Sequence, residues 1–196
     1  MTNNDILRRI RYTFDFSDSK MITIFGLADY KVSREQISAW LKKEDDPSYL
    51  SCNDTLLATF LNGLINHKRG KKDGVQPTPE KRLTNNIIFM KLKIALNLKA
   101  EDILEVMGLA SFRLSKHELS AFFRKPGHKH FRECKDQVLR NFIKGMQLKY
   151  REDAEPDEAQ TTNAQPESIQ PKDSAPKTNF KWNPLPRGGA ASDENE

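Results

Sequence analysis

The chain has 196 residues, with 32 Lys and Arg against 27 Asp and Glu, a formal charge of +5, and 37% hydrophobic side chains. No run approaches the roughly 18 apolar residues of a membrane span, and the opening MTNNDILRRIRY lacks the apolar stretch of a secretory signal. Two cysteines 82 residues apart, Cys52 and Cys134, argue against a disulfide scaffold and suit a reducing cytoplasm.

In chain order, the first predicted helix carries Ile6, Leu7, Ile10 and Phe14 on one face. The second carries Met21, Ile22, Ile24 and Phe25, and is expected to stop at Gly26 in a left-handed cap. The third opens on a capping box, Ser33-x-x-Gln36, and buries Ile37, Trp40 and Leu41. The fourth uses Leu56, Leu57, Phe60, Leu61 and Leu64. Residues 71–83, within GKKDGVQPTPEKRL, read as an exposed linker.

The same four elements then recur. Shifted by 82, residues 2–69 align without a gap onto 84–151, with 17 of 68 positions identical, among them Thr2-Asn3-Asn4 with Thr84-Asn85-Asn86 and Gly26-Leu27-Ala28 with Gly108-Leu109-Ala110. The second copy repeats the apolar faces with Ile88, Phe89, Leu92 and Leu96, then Ile103, Leu104, Val106 and Met107 ahead of Gly108. Next come Ser115-x-x-Glu118 with Leu119, Phe122 and Phe123, and finally Val138, Leu139, Phe142, Ile143 and Met146. A gapless match of that length is a duplication. The fold expected is all-α: two tandem homologous four-helix repeats, residues 1–70 and 84–151, packed together because a repeat of this size has only a marginal core alone. Gly63 and Gly145, inside the fourth helices, are expected to mark a close backbone approach that offsets the roughly 1 kcal/mol cost of a helical glycine, and so to support packing of the copies.

Residues 152–196 hold six of the ten prolines and few large apolar side chains, so they are expected to form a disordered acidic tail. The charge divides there, +11 before residue 152 and −6 after it. Within the tail Phe180, Trp182 and Leu185, beside two prolines, read as a short partner-binding motif.

The Asn-Asn-Asp-Ile-Leu-Arg-Arg-Ile-Arg-Tyr opening, residues 40–45 (WLKKED), 60–65 (FLNGLI) and 128–134 (HKHFREC), and Asn85-Asn86-Ile87 together resemble the YehS-like bacterial family. That resemblance covers nearly all of residues 1–151. It implies two tandem copies of a domain of unknown function in a bacterial cytoplasm, and no activity.

His128, His130, Glu133 and Cys134 include zinc-ligand types, but the first copy has Asp46, Ser48 and Cys52 at three of those places, and Cys before an apolar helix is ordinarily a small buried hydrophobe. No metal or cofactor is expected. Glu44-Asp45-Asp46 reads as a solvated turn, and no phosphate loop or nucleophile motif occurs. An enzyme is therefore less favoured than a non-catalytic module. The charge is the stronger signal: repeat 1 carries +1 and repeat 2 carries +8. The segment Lys42-Lys43-Glu44-Asp45-Asp46-Pro47-Ser48 has become Arg124-Lys125-Pro126-Gly127-His128-Lys129-His130. Arg124, Lys125, Lys129, Arg132, Lys135, Arg140 and Lys144 are accordingly the candidate nucleic-acid contacts, acting on phosphates by counterion release. Trp40, Phe122, Phe123 and Phe131 stand at core spacing and are expected to be buried rather than to stack on bases. The alternative is a protein-interaction adaptor that uses the groove between repeats and the tail motif.

Overall fold

The computed structural model describes residues 1–151; the tail, with Phe180, Trp182 and Leu185, lies outside the described residues. Among the described residues eight helices occur: α1 (Asn3–Thr13), α2 (Asp18–Leu27), α3 (Arg34–Leu41), α4 (Asp54–Arg69), α5 (Asn85–Ala95), α6 (Ala100–Leu109), α7 (Lys116–Phe122) and α8 (Asp136–Tyr150). No strand forms among the described residues. Adding 82 carries α1 onto α5 and α2 onto α6 end to end, and α3 onto α7 and α4 onto α8 to within one residue. Among the described residues no helix is long and apolar enough to cross a membrane.

Local chemistry sets these boundaries. Thr2, Ser33 and Ser115 accept the amides of Asp5, Gln36 and Glu118 at their N-caps, and the side chains of those three residues bond back, closing three capping boxes. The exits of α1, α2, α5 and α6 are left-handed, but the residue responsible is never glycine. It is Asp15, Asp29, Asn97 and Ser111, with φ of 47°, 57°, 54° and 56°. The next amide in each case reaches back five residues, as in Phe16 N–H to Arg11 O at 3.0 Å and Phe112 N–H to Met107 O at 3.0 Å. This is a Schellman closure. The sequence expectation of caps at Gly26 and Gly108 is therefore corrected. Both glycines lie inside their helices, because short polar residues at 29 and 111 adopt the left-handed turn themselves. No contact in the structure explains why these two positions are glycine.

Within each copy the second and fourth helices cross at a glycine. A Cβ built on Gly63 would stand 1.9 Å from the carbonyl oxygen of Ile24, and one on Gly145 the same distance from that of Val106. The close approach expected at these glycines is real, but it joins helices of one copy and not the two copies to each other. Its physical reason is the tight α2–α4 and α6–α8 crossings.

The copies join by exchange: α4 packs on α5 and α8 packs on α1. Polar contacts follow the same pseudo-twofold relation. Asp54 accepts from Asn3 in its own copy (2.8 Å) and from the amide of Leu83, the last linker residue before the other (2.9 Å). Asp136 accepts from Asn85 (2.7 Å) and from the Met1 amino group (2.6 Å). One hydrophobic cluster runs through both copies, from Ile6 to Met146. Its aromatic centres are Phe25 with Trp40 and Phe60, and Phe89 with Phe122, Phe123 and Phe142. Trp40 and Phe122 are buried as expected, whereas Phe123 is half-buried, with Lys93 5.2 Å from its ring centroid.

Candidate nucleic-acid interface

A buried asparagine builds the same clamp in each copy. Asn4 donates to the carbonyls of Trp40 and Leu50, both at 2.8 Å, and accepts from the Cys52 amide at 2.9 Å and the Tyr49 hydroxyl at 3.0 Å. Asn86 donates to the carbonyls of Phe122 (2.8 Å) and Arg132 (2.9 Å) and accepts from the Cys134 amide at 2.9 Å. Each therefore ties the end of one short helix to the loop that returns beside it. The loop also bonds back to that helix, through Leu50 N–H to Ala39 O and Arg132 N–H to Ala121 O.

The clamp opens a cleft between helix and loop in both copies. In repeat 1 it measures about 370 Å³ and is lined by Arg34, Glu35, Ser38, Ala39, Lys42 and Ser48. In repeat 2 it measures about 580 Å³ and is lined by His117, Glu118, Ala121, Arg124, Lys129, His130, Phe131 and Arg132. Positions 35, 39, 42 and 48 of the first are positions 117, 121, 124 and 130 of the second, so this is one duplicated cleft with two linings.

The linings differ in charge compensation. Lys42 is held at 3.0 Å by Asp46, whose carboxyl stays below its usual range through the Ser48 amide and then Lys42 itself. At the corresponding places Arg124 faces His128, with Nη1 to Nδ1 at 3.5 Å, and Ser120 at 3.4 Å. The carboxylate partner is gone. The turn has also changed: Gly127 takes φ of 89° after Pro126, and the His128 amide closes onto Lys125 O at 3.1 Å, a type II turn. The acid that remains in the cleft, Glu118, is engaged in capping. The Ser115 hydroxyl and amide hold its carboxyl below the usual range, with Arg132 adding to the effect.

The seven candidate cations divide on this geometry. Arg124, Lys129 and Arg132 line the cleft, and Lys125 stands exposed on the adjoining turn. Lys135 is the exposed N-cap residue of α8, and Arg140 is exposed one turn later, where it lowers the Asp136 carboxyl after the amino terminus and Asn85. Lys144 is half-buried further along α8. None of these last three lines the cleft, because equal spacing along one helix does not decide which neighbour that face meets.

Phe131, expected in the core, is half-buried and lines the cleft. It lacks the hydroxyl with which Tyr49 is anchored to Asn4. His117 was not singled out from sequence; its signal was the replacement of Glu35, another loss of acid between the copies. Cys52 and Cys134 are buried, and burial pushes both thiols up to about 12. His128 and His130 stand exposed 5.7 Å apart between ring centroids, whereas the Cys134 thiol is buried. Among the described residues no three His, Cys, Asp or Glu side chains come together as a metal-binding group.

Comparison with known proteins matches this duplicated architecture. The model of a family described as a protein of unknown function (DUF1456) fits residues 3–70 and again 85–152. The uncharacterized protein YehS of Escherichia coli (strain K12) is 44% identical over 147 residues, which are 74% of this chain and 94% of YehS. No solved structure matches. With both copies fitting the family model in the register that superposes their clefts, the chain belongs to the DUF1456 family and carries its domain twice.

Proposed function

We propose that the chain is a non-catalytic, cytoplasmic nucleic-acid-binding module that grips phosphates in the repeat-2 cleft. The observation that carries this reading is the comparison of the two clefts. They share the same helix-and-loop clamp, yet Lys42 pairs with a carboxylate and Arg124 pairs with none among the described residues. An uncompensated Arg beside Lys129 and Arg132 at the mouth of a cleft is a phosphate site in charge and shape, with the guanidinium forks suited to phosphate oxygens. Phe131 adds a partly exposed ring against which an unstacked base can lie. The cytoplasmic setting is supported by two unpaired, buried thiols.

The test is the affinity of single-stranded RNA for the full chain as a function of salt. Replacing both Arg124→Gln and Arg132→Gln removes two phosphate contacts. It is expected to flatten the slope of log K against log salt by about 1.4, at roughly 0.7 per contact for a single strand. His128→Asp, which restores the carboxylate of the first copy, is expected to weaken binding in the same direction. Unchanged affinity and slope in both variants would contradict the reading.

A further inference from the structure

Among the described residues the two grooves of the exchange are not equally covered. Over α4 and α5 the linker returns along the helices: Asn62 donates to Pro77 O at 3.2 Å, Asn66 donates to Gln76 Oε1 at 2.7 Å, and Glu80 pairs with Lys91 at 3.0 Å. Lys91 and Asn62 are buried there, at 9% and 6% exposure, and bonded to one another. Under the 82-residue register the same places over α1 and α8 belong to Arg9 and Lys144. Both are half-buried, and neither pairs with a carboxylate among the described residues. The two places that are neutral and cationic under an acidic segment in one groove are thus both cationic in the other.

The connectivity is equivalent as well. The linker follows α4, and the segment that follows α8 opens with Glu152, Asp153, Glu155 and Asp157, four carboxylates in six residues. The chain leaves α8 beside α1: Arg151 Nη1 donates to Tyr12 O at 2.6 Å, and its guanidinium lies 3.7 Å from the Tyr12 ring centroid. Six residues reach about 20 Å when extended, whereas Lys144 lies only about 10 Å back along the helix. We propose that the groove between α1 and α8 is a docking site for this acidic segment, residues 152–157, which neutralises Arg9 and Lys144 as Glu80 neutralises Lys91.

The test compares amide chemical shifts of the full chain with those of a variant carrying Glu152→Gln, Asp153→Asn, Glu155→Gln and Asp157→Asn. Amides in the last turn of α8 respond through sequence adjacency and are set aside. The expected result is displacement centred on Arg8–Arg9 and Asn141–Lys144. It should be reproduced in the unaltered chain at about 0.5 M salt, where the screening length falls below about 5 Å, and lost when Arg9→Gln and Lys144→Gln are already present. Displacement centred instead on His117–Arg132, or confined to the last turn of α8, would overturn the proposal. Neither outcome bears on whether the cleft binds RNA, which is read separately.

Discussion

Gly63 and Gly145 are tolerated inside helices because nothing larger fits. Each Cβ would enter a neighbouring carbonyl that is itself part of a helix, so the obstacle cannot swing aside. Gly63→Ala or Gly145→Ala is expected to cost about 3 kcal/mol or more, at the upper end of overpacking penalties. Gly26 and Gly108 have helical backbone and open space around the Cβ position. Alanine there is expected to stabilise by about 0.5–1 kcal/mol through helix propensity and the unfolded chain. Urea midpoints of the four single variants check the contrast; equal effects at all four sites would refute the packing account.

At the scale of elements, Asn4 and Asn86 convert a short helix and a loop into a cleft. Truncating either leaves two carbonyls and one amide without their partner, and in the first copy the Tyr49 hydroxyl as well, a loss of about 2 kcal/mol or more. Asn86→Ala is also expected to release Arg132 and weaken RNA binding, whereas Asn4→Ala should lower stability alone. Binding measured at a temperature where both variants remain folded distinguishes the two. Much of the helical plan was legible beforehand, since apolar spacing, capping boxes and the 82-residue register each carry their signal locally. The cleft was not, because it arises from side chain–backbone bonds between residues 36 to 48 positions apart. That Arg140 and Lys144 do not line the cleft with Arg124 was hidden for a related reason. Charge counting sees how many cations a repeat holds and is blind to which side of α8 they occupy. Gly26 misled because a glycine near a helix end suggests a cap, while Asp29 and Ser111 supply the left-handed residue.

For the whole molecule, the exchange of α4 onto α5 and α8 onto α1 makes each copy the cover of the other. Residues 1–70 alone would expose the faces of α1 and α4 that the second copy buries, and a core of that size is marginal. The fragment is expected to melt without a cooperative transition by circular dichroism; a sharp transition matching the full chain would show that the copies fold independently. Duplication inside one cooperative body also explains how one cleft became basic while the other stayed balanced. The scaffold positions are shared, so the lining is free to diverge. Reciprocal exchange of residues 42–48 and 124–130 in the full chain, followed by single-stranded RNA affinity at low and high salt, tests this most directly. The account predicts that placing residues 42–48 in the second copy abolishes salt-dependent binding. It also predicts that placing residues 124–130 in the first copy, with Leu50→Arg to supply the counterpart of Arg132, creates a second site. Binding that stays unchanged in both exchanges would contradict it.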